Sequence, residues 1–217
     1  MAPVSAELVL AQVRTVLSDI RVDAVKVGML GTAEVTLAVA RALQELPAGV
    51  PVVVDPVMVS ESGARLLEED AQRALIEEIL PLATILTPNL PEARALAGGG
   101  QEDDGEDLAR AVLALGPRIV VLTGGHRSRA SDLFLDSAAS GSVVSIDGER
   151  HPDGAAHGSG CTHSSVLAAQ MALGRSPLQA ARVARALAGA AVGRGLRDVG
   201  AGPGPVDVMD LGAMRAN

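Results

Sequence analysis

VPVVVDP, residues 50–56, places three β-branched residues in a row between two prolines and closes them with an aspartate. An uninterrupted apolar run of this length, ended by a turn signal, reads as a buried strand. Three further segments have the same build: AVKVG at 24–28, ATILTPN at 83–89 and RIVVLTGG at 118–125. Each ends in glycine or in polar turn residues. Helical stretches separate them, at 32–46, at 69–80, after Pro91 and at 106–115; Pro91 suits the first position of its helix. Ahead of these lies 5–19, with Leu8, Val9, Val13, Val16 and Leu17 at helical spacing. Behind them, SDLFLD at 131–136 and GSVVSID at 141–147 read as an antiparallel pair, and two apolar helices, about 160–173 and 177–195, close the chain. Strands alternating with helices predict an α/β fold, a mostly parallel sheet covered by helices on both faces, in one domain over 1–217. No internal repeat is present.

Composition narrows the function. Hydrophobic residues make up 48% of the 217, so a full core is available, yet Phe134 is the only aromatic residue. Burial has to come from Ala, Val, Leu, Ile and Met. A formal charge of −8 argues against a nucleic-acid binder, and the missing aromatics remove base-stacking platforms. One cysteine cannot form an intrachain disulfide, and the first residues lack a basic segment leading into a long apolar one. No run is long enough to span a membrane. The expected setting is the cytoplasm, with neither membrane nor nucleic acid as partner. The ends and GGGQEDDGED at 98–107 are the expected disordered stretches.

In open α/β sheets ligands bind beyond the carboxyl ends of the strands. The loops GMLG, DPVMVS, TPNLPE and TGGH, together with HGSGC at 157–161, would line one crevice there. HGSGC leads into a helix. Its glycines allow close backbone approach, and a helix N-terminus favours an anion or a thiolate. The stretch can hold a phosphate, activate Cys161, or simply turn the chain ahead of a buried helix. Asp55 can orient a hydroxyl or meet a metal–phosphate complex, or only form the turn before Pro56. Asn89 and Glu92, three apart, can attend a hydrated Mg²⁺, or only cap a helix. His157, Cys161 and His163 fall short of the four ligands of a closed zinc site. A Cys–His nucleophile with His126 or His157 as base is a further reading, but it leaves DPVM and NLPE unexplained.

DAVKVGMLG, VVVDPVMVSESGARLL, ILTPNLPEARALAG, VVLTGGH followed by DLFLD, and HGSGCTHSSVLAAQMALG occur here in the order found in hydroxymethylpyrimidine/phosphomethylpyrimidine kinases of thiamin biosynthesis, members of the ribokinase-like superfamily. The chain resembles that family from about residue 5 to about residue 195. The resemblance implies an ATP- and Mg²⁺-dependent kinase acting on a small pyrimidine, 4-amino-5-hydroxymethyl-2-methylpyrimidine, and then on its monophosphate. Cys161 would match the catalytic position, where most of the superfamily has aspartate. Gly158, Ser159, Gly160 and Cys161 would form the anion hole for the transferring phosphoryl group. Asp55, Asn89 and Thr123 would contact ATP, and Glu92 the metal. Gly28, Met29 and Val57 would match the pyrimidine pocket. A homodimer is also implied.

Two departures stand out. The family reads VKGGH where this chain has LTGGH, so Thr123 replaces a lysine that reaches ATP phosphates. Relatives also begin with a strand bearing a GSD-type segment, a helix and another strand, ahead of the helix that opens this chain; without them an exposed sheet edge and apolar surface are expected. These departures keep two alternatives open: a pyridoxal kinase of the same cysteine-containing branch, and a truncated, non-catalytic nucleotide-binding remnant.

Overall fold

The computed structural model describes residues 4–58, 67–98, 105–124, 131–139, 141–152, 154–200, 202 and 204–210. Residues 59–60 of the DPVMVS loop, Gly125 and His126, and residues 99–104 of the acidic patch lie outside them. One six-stranded sheet runs β1 (Val25–Val27), β2 (Val52–Val54), β3 (Ile85–Leu86), β4 (Ile119–Leu122), β5 (Ser131–Asp136) and β6 (Val143–Asp147), with spatial order equal to sequence order. The first four strands are parallel, and β5 and β6 return antiparallel. All six strands fall where the sequence places them.

The helices are α1 (Ala6–Asp19), α2 (Ala33–Gln44), α3 (Glu69–Ala74), α4 (Leu90–Ala97), α5 (Gly105–Leu113), α6 (Ser159–Ala172) and α7 (Pro177–Gly193). The helix expected over 69–80 is α-helical only to Ala74; it continues as a π-turn over Leu75–Ile79 and a 3₁₀ turn over Leu80–Leu82, where Pro81 ends the α pattern. The acidic patch also differs from expectation at its end, since Gly105, Glu106 and Asp107 form the first turn of α5.

Strand alternation divides the core into two layers. Val52, Val54, Leu86, Val120 and Leu122 face α2 to α5, packing with Leu43, Leu75, Leu96 and Val112. Val53, Ile85, Ile119, Val121 and Phe134 face α6 and α7. On that second side the helices present Ala168, Ala180, Ala181 and Ala184, all buried. Small residues let α7 lie close to the sheet and supply by proximity the dispersion contacts that aromatic side chains would otherwise give. β1 lies at one edge of the sheet. Beside it α1 packs on α2 but buries none of its residues, leaving Leu8, Val16 and Ile20 exposed.

Candidate active site

Strands β1 to β4 deliver their carboxyl ends to the first turn of α6. Gly158 makes the entry at φ 84°, a left-handed conformation that favours glycine, and no side chain caps the helix. The Ser159 N–H is already donated to the Ala156 carbonyl. The expected anion hole therefore narrows: the Ser159 amide is engaged, and the first-turn amides of Gly160 and Cys161 are the donors that remain for a ligand.

The helix has two working faces. Cys161 and Ser164 turn toward β2. The Ser164 hydroxyl donates to Asp55 Oδ2 at 2.9 Å, and Lys26 Nζ, from β1, lies 3.3 Å from the same oxygen. Asp55 is 5% exposed, directly beyond β2, with its N–H bonded to the Val27 carbonyl. The neighbouring Glu92 is also buried. Its carboxylate accepts the Asn89 N–H at 2.9 Å while Asn89 Oδ1 accepts the Glu92 N–H at 2.9 Å, a complete capping box. The helix-capping alternative for this pair is thus what the backbone shows. It leaves room for a second role, because the carboxyl group sits close to Asp55.

On the other face, Ser159, Gly160 and His163 line a cavity of about 380 Å³. Asn89 and Thr123 form part of its wall, joined by a parallel bridge at the ends of β3 and β4. Thr123 donates its N–H to the Pro88 carbonyl at 2.8 Å and its hydroxyl to the same oxygen at 3.3 Å. Residues 149–152, Gly154, and Ala188, Gly189 and Val192 of α7 close the far side. The single crevice expected from sequence is therefore two sites sharing one helix turn. Asn89, Thr123, Ser159 and Gly160 belong to the cavity. Asp55, Cys161 and Glu92 form the cluster behind it. Gly28 lies against Lys26 Nζ on the cluster side, Val57 follows Asp55 with its N–H on the Asp55 carbonyl, and Met29 is half exposed.

Electrostatics corrects one expectation. A thiol at a helix N-terminus is expected to ionise easily, but the Cys161 pKa is raised. Partial burial is the main cause and the Asp55 carboxylate the next; Lys26 opposes them, and Glu92 adds to the rise. Burial and the two carboxylates together outweigh the one ammonium. Among the described residues no histidine contributes to this environment, which removes support from His157 as the base of a Cys–His nucleophile; His126, the other candidate, lies outside them. Burial, reinforced by Asp55, also pushes Glu92 up to about 7, against the Asn89 and Met58 amides that hold it down.

Among the described residues no three His, Cys, Asp or Glu side chains gather into a metal site. His163 is buried and faces Asp132, while Cys161 and His157 are exposed, so the three diverge. The donor set does fit a hydrated Mg²⁺, which keeps most of its waters. Two buried carboxylates side by side, the Glu92 group raised chiefly by its burial and further by Asp55, are what a cation between phosphate and protein would relieve.

The motif search missed Lys26, Ser164, Asp132 and Arg185. Lys26 carries a signal, being a charge inside a three-residue apolar strand. Ser164 carries a weaker one, three residues after Cys161 on the same helical face.

A family model described as phosphomethylpyrimidine kinase matches residues 1–207. A hydroxymethylpyrimidine/phosphomethylpyrimidine kinase of Rhizobium meliloti is 42% identical over 209 residues, covering 94% of this chain and 77% of that protein. The crystal structure of a Clostridium difficile phosphomethylpyrimidine kinase aligns with TM-score 0.70 at 31% identity, covering 84% of this chain and 74% of the other. A pyridoxal kinase from Staphylococcus aureus in complex with ADP aligns with TM-score 0.85 at 31% identity, covering 97% and 76%. The α/β fold is that of the ribokinase-like kinases.

Two measurements check the electrostatics. Alkylation of the single thiol in ligand-free protein will be slow at neutral pH and rise only above the ordinary thiol range; Asp55→Asn will accelerate it and Lys26→Met will slow it. For Glu92, between pH 4.5 and about 7 the folded state holds a proton that the unfolded state has released. Stability therefore falls as pH climbs through that window, and the loss is complete above it. Thermal melting across this range will show that slope in the native chain and a flatter one in Glu92→Gln, whose amide oxygen still accepts the Asn89 N–H.

Proposed function

The chain belongs to the phosphomethylpyrimidine kinase family, and from that premise we propose that it moves the γ-phosphoryl group of ATP to the hydroxymethyl of 4-amino-5-hydroxymethyl-2-methylpyrimidine, then phosphorylates the monophosphate. The observation that carries this reading is the shared first turn of α6, with a nucleotide-sized cavity on one face and the Cys161–Asp55–Lys26 cluster on the other. Phosphoryl transfer is mostly positioning and charge stabilisation, and a helix turn between donor and acceptor supplies both.

In this reading the triphosphate lies along Asn89 and Thr123 with its γ end at the Gly160 and Cys161 amides. The pyrimidine sits on the side of Gly28, Met29 and Val57. Cys161, exposed enough to lose its own proton to solvent, takes the proton of the acceptor hydroxyl as thiolate while that oxygen attacks phosphorus, the bond to the β–γ bridging oxygen breaks and ADP leaves. The thiol is protonated in the ligand-free chain, so its activation depends on compensating Asp55. Once that charge is compensated, Lys26 and the helix dipole remain to act on sulfur, and both favour the thiolate. Asp55 and Glu92 would meet a hydrated Mg²⁺ carried on the phosphates, whose chemistry is to neutralise their charge. One ribokinase-like domain over 1–217, a cytoplasmic setting and a homodimer belong to the same reading; the exposed apolar residues of α1 support association.

Pyridoxal is the second acceptor to test, because the pyridoxal kinase alignment has the higher TM-score. The 42% identity to a pyrimidine kinase favours the pyrimidine.

ADP release with each acceptor tests the assignment directly: the pyrimidine will be phosphorylated and pyridoxal less well. Cys161→Ala will lower transfer about a hundredfold or more, the scale of a lost general base, with melting unchanged. Turnover at the native rate in that variant removes Cys161 from catalysis. Thr123→Lys will tighten ATP binding by up to about fivefold, the scale of a part-exposed ion contact. Unchanged affinity means that position 123 does not face the phosphates.

A further inference from the structure

Asp132, the second residue of β5, is fully buried, at 0% exposure, on the wall of the cavity. Its Oδ1 accepts the Gly124 N–H at 3.0 Å, fixing the residue after Thr123. At Gly124 the backbones are so close that an added Cβ would lie 1.7 Å from the Ser131 carbonyl oxygen, so the Gly124 backbone is pressed against the start of β5. Arg185 Nε, from α7, lies 3.9 Å from the same Oδ1. The other oxygen, Oδ2, faces His163 Nε2 at 3.3 Å. His163 is 4% exposed, and neither of its ring nitrogens, nor Asp132 Oδ2, has a hydrogen-bond partner among the described residues.

A buried imidazole and a buried carboxylate oxygen, each without a hydrogen-bond partner among the described residues, stand 3.3 Å apart, within the distance of a charge-assisted hydrogen bond. Leaving both unsatisfied is costly, and such groups call for an explanation. Their location supplies it. His163 is two residues beyond Cys161, on the opposite face of α6, one turn from Ser159. Asp132 holds the Thr123–Gly124 loop. A bond between them would set the distance from the first turn of α6 to the loop on which the phosphates lie.

We propose that His163 is a positioning residue for phosphoryl transfer. Through Asp132 it holds the Gly160–Cys161 turn in register with the Thr123–Gly124 loop, so that the γ-phosphoryl group and the acceptor meet in line. From its place in the cavity wall His163 acts on the reaction through Asp132. This inference rests on the kinase reading above. Misplacement of reacting groups by about an ångström costs on the order of a hundredfold in rate; loss of one tether among several is expected to cost about tenfold.

The test uses the full chain with His163→Leu and His163→Gln. In His163→Leu, kcat for pyrimidine transfer will fall about tenfold, while affinity for a non-hydrolysable ATP analogue changes less than about threefold. His163→Gln, which keeps a donor toward Asp132, will recover most of kcat. A native kcat in His163→Leu overturns the proposal. So does a drop in analogue affinity that accounts for the whole loss, or a glutamine variant no better than leucine. Amide exchange separates this from failure of the kinase reading. If the native chain transfers no phosphate, faster exchange over 157–164 and at 123–124 in His163→Leu still supports the tether, and unchanged exchange refutes it.

Discussion

The hydrogen bond from Ser164 to Asp55 joins residues 109 apart and fixes where α6 begins relative to the sheet. The rest of the site follows from it. Asp55 is held by the end of β2, so the helix that meets it must start above the carboxyl ends of the strands. Its free amides then point to where the β3 and β4 loops lie, and Cys161 is carried to the side of Lys26. A single buried carboxylate thereby converts a sheet topology into the placement of a thiol.

The same carboxylate holds that thiol in check. The usual expectation for a cysteine in the first helical turn is a low pKa, and here partial burial, reinforced by the Asp55 carboxylate, reverses it. The ligand-free centre is thus a protonated thiol near two interacting carboxylates, with one ammonium between β1 and β2. Its excess negative charge is left uncompensated until a cation arrives. With Cys161 as the proposed base, that would link its readiness to the arrival of the metal-bound nucleotide, which is useful in an enzyme that must not hydrolyse ATP idly.

Much of the fold was legible because its signals are local. VVV at 52–54, IVVL at 119–122 and the glycine or proline that follows each strand mark the parallel strands with little ambiguity. The residues HGSGC, Asp55 and Asn89 were legible because turn chemistry and strand ends expose them. The electrostatic sign at Cys161 was not legible, since it depends on Asp55 and Glu92, far apart in sequence, arriving at the same place. The division of the crevice into two faces was hidden for a related reason: it depends on the angular phase of α6, in which Cys161 and His163 turn to opposite sides. Asp132 looked like the polar edge of a strand pattern. Only the antiparallel return of β5 beside β4 brings it against Gly124.

Phe134, buried between β5 and the alanine faces of α6 and α7, is the single aromatic ring in the chain. With no tryptophan or tyrosine, the protein is almost transparent in the near ultraviolet, where adenine, pyrimidine and pyridoxal rings all absorb. A core built from aliphatic residues therefore gives the molecule a dark optical background. The absorbance and circular dichroism of a bound ring would be read nearly free of the protein's own signal, and an occupied cavity becomes directly visible.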